Sequence, residues 1–320
     1  MTSTYSSLEL EKQISKYSNN QETILTIGVF DGVHKGHQHL FEELNDIASK
    51  TTQHSTAITF TNHPSTILNS NFLPSYLYES DKKIELLKGL HVDSVIPITF
   101  NNSIASLTAE EFIKILKRKI NIHTIVLGHD FAMGKNRQGT KKEIVNIGSK
   151  YNFFTANVPP YKQNTLIVST SMIKKMISNG EIHNVSKSLG RNFEISGKVI
   201  KGFSRGKQLG YPTANIKIQN NIIKPGNGIY ATLSTINEKK YFSSTSIGMA
   251  PTFKEQKYSI ETYIMDFEKS IYSQNITIEF IEKLRDEIKF ENIDTLKTQI
   301  QLDIEKTKTI LNKQILQQPG

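Results

Sequence analysis

Short apolar runs alternate with amphipathic stretches along the first 185 residues. The runs near 24–28, 56–61, 94–98, 123–128 and 153–158 predict strands. Between them, LFEELNDIASK, KKIELLKGL and AEEFIKILKRKI repeat their apolar residues at helical spacing. Strand and helix in strict alternation predict a doubly wound, Rossmann-like parallel α/β sheet, whose ligands sit outside the carboxyl ends of the strands. Near residue 190 the texture changes. FEISGKVI, TANIKI, GIYATLSTI, KKYFSSTSI, YSIETYIM and ITIEF are short strands punctuated by turn residues, the pattern of an antiparallel barrel or sandwich. Asn292 and Asp294 then precede a long helical pattern, IDTLKTQIQLDIEKTKTIL, expected to cover one side of it. The expected organisation is two domains, 1–185 α/β and 186–320 a β-barrel with a C-terminal helix.

Composition narrows what these domains do. The 320 residues include no cysteine, which excludes disulfides, thiolate catalysis and cysteine-based zinc sites. No apolar run has membrane-spanning length, and MTSTYSSLELEKQ has neither a basic nor an apolar leader region, so a cytoplasmic protein without a membrane partner is expected. The net charge of +9 is spread over both halves and suits phosphorylated small ligands about as well as nucleic acid. The absence of Trp and the scattered aromatics count against nucleic-acid stacking.

The densest chemistry lies in ILTIGVFDGVHKGH. Gly28, Gly32 and Gly36 let a phosphate chain approach the backbone where a strand gives way to a helix starting near Gly36, and the helix N-terminus attracts anions. His34 and His37, three apart, are predicted to share the first turn and to donate to phosphate oxygens as charge develops. A capped helix start, or a metal site recruiting His39, are the alternatives. GHDFAMGKNRQG follows the fourth predicted strand and belongs on the same sheet edge. Within it, GKNRQGTK departs from a P-loop because Thr140 and Lys141 stand in the wrong order, and reads as a mobile glycine-containing loop.

In the second half, GKVIKGFSRGKQLGYPTANI reads as a flexible loop leading into a strand. Thr213 and Asn215 share one strand face and offer hard oxygens suited to Mg²⁺ held mostly by a nucleotide. Local sequence alone favours an ordinary hairpin entry. Glu261, sharing a face with Ser259 and Tyr263, is either a general base or a solvated outer-face residue, and Arg285 either a ligand clamp or a surface ion pair.

These motifs occur in order: GVFDGVHKGH, TFTNHP, GHDFAMGKNRQG, VSTSMIKKMISNGEI, then GKVIKGFSRGKQLGYPTAN, GIY, SIGMAPTF, IETYIMDF and LRDEIKF. Through them the chain resembles the prokaryotic bifunctional riboflavin kinase/FAD synthetases from about residue 22 to 310. The resemblance implies a nucleotidylyltransferase-type first domain that adenylylates FMN to FAD, releasing pyrophosphate. It implies a C-terminal barrel that phosphorylates riboflavin to FMN with ATP and Mg²⁺. ATP in the first domain would meet Gly28, Phe30, Asp31, Gly32, His34, His37, Ser169, Ser171 and Lys174, the two histidines being catalytic. His63, Gly128, Asp130 and Phe131 would face the flavin. In the barrel Thr213 and Asn215 would hold metal and ATP, Gly202 and Lys207 would bracket a loop over the phosphates, Glu261 would be the catalytic base, and Arg285 would close on the flavin. Partners would be small molecules only, with a monomer or weak homo-oligomer. Ser171 and Lys174 stand where the family usually has Thr and Arg, Lys207 where it has Arg, and Ser273 where it has Gly; losing the guanidinium fork at Lys174 is expected to weaken the adenylyl step. Rival readings are a class I aminoacyl-tRNA synthetase relative, a non-enzymatic flavin or nucleotide binder, and a protein keeping one activity only.

Overall fold

The structure, a computed structural model, describes residues 2–17, 19–202, 205–251 and 256–316. It divides into two compact units, Met1–Thr170 and Ser171–Gly320.

In the first unit β1 (Asn19–Gly28), β2 (His54–Phe60), β3 (Ser94–Ile98), β4 (Ile120–Leu127) and β7 (Phe154–Asn157) form a sheet ordered β3-β2-β1-β4-β7. Its pairings are all parallel, with Leu25 between Thr56 and Ile125. Ile24 and Leu25 are both fully buried because helices cover each face. Leu25 and Ile27 join Ile58 and Ile96 in one core layer, while Ile24 joins Ala57, Val126 and Phe41 in the other. The first of the predicted helices runs Lys35–Thr51, and AEEFIKILKRKI stops helically at Lys117 because Ile120 already begins β4.

Two local features differ from expectation. The stretch Thr2–Ile14 is a helix that the apolar pattern did not predict; Leu10 and Ile14, four apart, are fully buried, which contributes roughly 1.5–3 kcal/mol each. The run GKNRQGTK is structured: β5 (Ala132–Met133) and β6 (Gly139–Thr140) pair as a small ribbon, and Lys135 N donates to Leu107 O at 2.8 Å. A second ribbon joins β8 (Lys162–Gln163) to β9 (Leu166–Ile167).

The second unit opens with helices Thr170–Asn179 and Ile182–Leu189 and continues into β10 (Phe193–Ile200), β11 (Thr213–Lys217), β12 (Gly228–Ile236), β13 (Lys239–Pro251), β14 (Gln256–Ile264) and β15 (Asn275–Arg285). Of barrel and sandwich, the structure is a closed antiparallel barrel ordered β10-β11-β14-β13-β12-β15. Alternation sorts its residues: Ile260, Thr262 and Ile264 point inward and are buried, while Ser259, Glu261 and Tyr263 occupy the outer face. Part of the interior is polar. Thr232 bonds Ser243 and Thr245 at 2.8 Å, Ser234 bonds Ser243 at 2.8 Å, and Thr245 bonds Thr262 at 3.0 Å, so five buried hydroxyls satisfy one another. The helix Ile293–Leu316 packs on β12, β13 and β15 through its buried Asp303, Thr307 and Leu311.

Candidate active sites

Parallel topology sets the first site, because β1 and β2 end on one edge and deliver Gly28–Gly36 and His63 there. Between β1 and the helix, Phe30, Gly32 and Val33 all have left-handed backbones, with φ of 50°, 82° and 40°. Two bulky residues in that region cost on the order of 1–3 kcal/mol each, a strain typical of turns whose geometry serves function. His34 is the N-cap of the helix, so the pair does not sit wholly within the first turn as expected. Its Nδ1 accepts from His37 N at 3.3 Å, which leaves the ring proton on Nε2. The two imidazoles stack with centroids 3.7 Å apart, and Phe30 packs edge-on to His37 at 5.3 Å. A metal site recruiting His39 gains nothing from this arrangement: His39 Nδ1 lies 3.7 Å from Glu42.

Asp31, 5% exposed, accepts from Leu77 N at 2.9 Å, and its backbone carbonyl accepts from Thr170 Oγ1 at 3.1 Å. A Cβ on Gly32 would meet Leu77 Cδ1 at 2.2 Å, and one on Gly36 would meet Val168 O at 3.1 Å. The turn is thus enclosed by the chain around Leu77 and by the Val168–Thr170 segment that carries Ser169. Ser171 and Lys174 follow on the helix Thr170–Asn179 and fall in the second unit.

His63 is held on both sides. Its Nδ1 accepts from Ser65 N at 3.1 Å and its own N–H donates to Tyr76 Oη at 2.8 Å, with Phe72 tilted against the ring at 5.2 Å. After β4, Phe131 N donates to Gly128 O at 3.3 Å and the Phe131 ring packs on the core, which leaves Asp130 exposed. Lys83, absent from the sequence-based set, belongs here. It is 6% exposed, its Nζ donates to Phe60 O, and burial pulls its ammonium down to about 8, opposed by the Asp31 carboxylate. The only signal in the sequence is its position four residues before buried Leu87, on the apolar side of KKIELLK.

The second site lies on the outer face of the barrel. Antiparallel register sets Asn215 opposite Glu261 and Thr213 opposite Tyr263, and Thr213 Oγ1 donates to Glu261 Oε2 at 3.3 Å. The Thr213–Asn215 pair and Glu261, singled out on different strands, therefore form one cluster of hydroxyl, carboxamide and carboxylate. The preceding loop folds over it. A Cβ on Gly202 would lie 2.2 Å from Asn215 Nδ2, and one on Gly206 would lie 3.3 Å from Thr213 Oγ1. Phe203 and Ser204 of that loop, Thr252 and Phe253 of SIGMAPTF, and the Lys207 side chain lie outside what is described.

Arg285 is not brought to this cluster. Glu261, Ser246, Ile229 and Arg285 face one another in succession across β14, β13, β12 and β15, which puts the ends of the row three strand spacings, about 14 Å, apart. Its guanidinium instead forks onto Asp303, with Nε to Oδ1 at 3.0 Å and Nη2 to Oδ2 at 2.7 Å, while Nη1 donates to Asp286 O at 3.0 Å. Phe290 lies 5.9 Å from the guanidinium carbon.

A strained, histidine-stacked helix start at the edge of a parallel sheet and a barrel-face carboxylate beside oxygen donors thus lie in a two-module protein, which its family models and relatives class as a transferase. A family model described as FAD synthetase matches residues 16–172, and one described as riboflavin kinase matches residues 189–311. The bifunctional riboflavin kinase/FMN adenylyltransferase of Buchnera aphidicola subsp. Schizaphis graminum is 37% identical over 299 residues, covering 92% of this chain and 95% of that protein. The proteins of that description from Listeria monocytogenes and Escherichia coli K12 are 30% and 28% identical, over 91% and 88% of this chain and 93% and 90% of their own. A crystal structure titled as a macrolide-efflux protein from Streptococcus pneumoniae superposes with a TM-score of 0.84 at 29% identity, covering 92% of this chain and 96% of that one. The efflux in that title is said of that protein; here, among the described residues, no helix is long and apolar enough to cross a membrane. The chain belongs to the bifunctional riboflavin kinase/FMN adenylyltransferase family.

Proposed function

We propose that the second unit phosphorylates riboflavin with ATP and that the first adenylylates the resulting FMN to FAD. The observation that carries this reading is the cross-strand cluster of Thr213, Asn215 and Glu261, because an alcohol acceptor needs a base beside the nucleotide. Glu261 takes the proton of the terminal ribityl hydroxyl as its oxygen bonds to the γ-phosphorus and ADP departs. Thr213 Oγ1 and Asn215 Oδ1 are neutral hard donors, a set that fits Mg²⁺ bound chiefly by phosphate oxygens. The ion supplies charge neutralisation on the phosphates when bound. Gly202 and Lys207 bracket the loop over the phosphates. Arg285, committed to Asp303, serves the flavin side by orienting the Asp286–Phe290 segment.

In the first unit the FMN phosphate is already a nucleophile, so alignment and charge stabilisation suffice. One of its oxygens attacks the α-phosphorus of a second ATP, and pyrophosphate leaves. His34, through Nε2, and His37 donate to the phosphate oxygens; Gly28, Phe30, Asp31 and Gly32 shape the turn that receives them. Ser169 contributes a hydroxyl to the phosphates, and His63, Gly128, Asp130 and Phe131 bound the flavin side. We place both reactions in the cytoplasm, where ATP is supplied, with a monomer or weak homo-oligomer acting on small molecules and not on nucleic acid. The test is chromatography of purified protein incubated with riboflavin, ATP and Mg²⁺. FMN appears first and FAD follows; absence of both flavin products overturns the proposal.

A further inference from the structure

We infer that Lys83 is a positioning residue for adenylyl transfer, anchoring on the end of β2 the helix whose lead-in segment grips the turn after β1, and so setting the spacing between the His34–His37 pair and His63. The inference rests on the reading of the first unit as the FMN-adenylylating site. Lys83 lies on the helix Ser80–Lys88 and its ammonium donates to the carbonyl of Phe60, the last residue of β2 and three residues before His63. The Asp31 carboxylate, three residues before His34, acts on the same ammonium. The chain leading into this helix already grips both loops, Leu77 N on Asp31 Oδ1 and Tyr76 Oη on His63 N, so Lys83 completes a strap across the ends of β1 and β2.

An ammonium is an expensive way to fill this space. At 6% exposure it is largely desolvated, and an apolar side chain of its length would pack there at less cost. What the ammonium adds is directional: it satisfies the β2 carbonyl of Phe60 and so fixes the helix to the strand end. Its burial keeps it from touching a nucleotide, so it acts through the loops. The group that meets it is the Phe60 carbonyl of β2, while the Asp31 carboxylate of the turn acts on it through its charge alone. With the ammonium lowered to about 8, the tie loosens as pH rises through that value.

The full chain, K83M and K83R are compared for FAD formation from FMN and ATP between about pH 6.5 and 9.5, with riboflavin phosphorylation by the same samples as the internal reference. K83M is expected to lower kcat/KM for FMN on the order of tenfold or more while phosphorylation stays within about twofold. The wild-type FAD rate, relative to phosphorylation, falls above about pH 8, whereas K83R, whose guanidinium keeps its proton, recovers most of the activity and holds it to the highest pH. K83M at the wild-type level, or K83R declining with the wild-type midpoint, overturns the inference. If K83M does not fold, the K83R profile decides alone. A wild-type chain that makes FMN but no FAD overturns the underlying reading instead.

Discussion

Replacing Gly202 by Ala tests the barrel site through a single methyl group. Gly202 does not have a left-handed backbone, so alanine adds no conformational strain of its own. The atoms nearest the added Cβ are those of the Asn215 carboxamide, at 2.2 Å from Nδ2, 2.4 Å from Cγ and 2.7 Å from Oδ1. All three separations lie far inside van der Waals contact. Asn215 must rotate or the loop must lift by about 1 Å. Rotation off its rotamer costs roughly 0.5–1.5 kcal/mol, so the fold survives. Displacing a ligand-positioning group by about 1 Å costs on the order of 100-fold in rate. G202A is therefore expected to lower kcat/KM for riboflavin phosphorylation by roughly 10–100-fold, leaving FAD formation from supplied FMN unchanged and the unfolding midpoint nearly so. Following FMN and FAD by chromatography with each substrate in turn reads both steps. Phosphorylation by G202A within about twofold of wild type would refute the assignment of Asn215 to the nucleotide site.

Glu261→Gln keeps shape and removes the base, so phosphorylation is expected to fall about 10²–10⁴-fold with FAD formation from FMN intact; His37→Ala should do the reverse and let FMN accumulate. Either variant losing both steps contradicts the modular reading. Asp303→Ala strands an Arg285 side chain that is 20% exposed, and urea unfolding should report a loss of about 3 kcal/mol in the barrel unit; a change under about 1 kcal/mol would show the pair to be marginal. Lys83 also predicts a linkage effect. Between about pH 8 and 10.5 an unfolded Lys83 holds a proton that the folded one has lost, so unfolding free energy rises with pH by up to about 3 kcal/mol from this residue. Comparing urea unfolding of wild type and K83M at both ends of that window isolates it, and equal slopes would contradict the lowered ammonium.

The α/β order was legible because each buried strand is a continuous apolar run and each helix between carries a stripe. The histidine turn was legible because its residues are contiguous. The barrel cluster was legible only through the family resemblance: Thr213 and Glu261 are 48 residues apart, and their meeting depends on antiparallel register, which local sequence does not carry. Arg285 illustrates the same limit, since Asp303, 18 residues on, captures it from a helix whose docking face is set by tertiary packing. The helix Thr2–Ile14 was missed because, among its described side chains, only Leu10 and Ile14 are buried on its inner side. Lys83 was hidden by its type, as a lysine in KKIELLK ordinarily faces water.

The hydroxyl chain inside the barrel bears on how this sequence can drift. Thr232 serves both Ser243 and Thr245, and Ser243 serves Ser234 as well. Valine at Thr232 would still leave Ser243 bonded to Ser234 Oγ and to the backbone carbonyl of residue 232, and Thr245 bonded to Thr262, so no buried hydroxyl would lose its last partner. Because the links back one another up, single replacements are expected to pass, so among related barrels these five positions should drift one at a time rather than as a set.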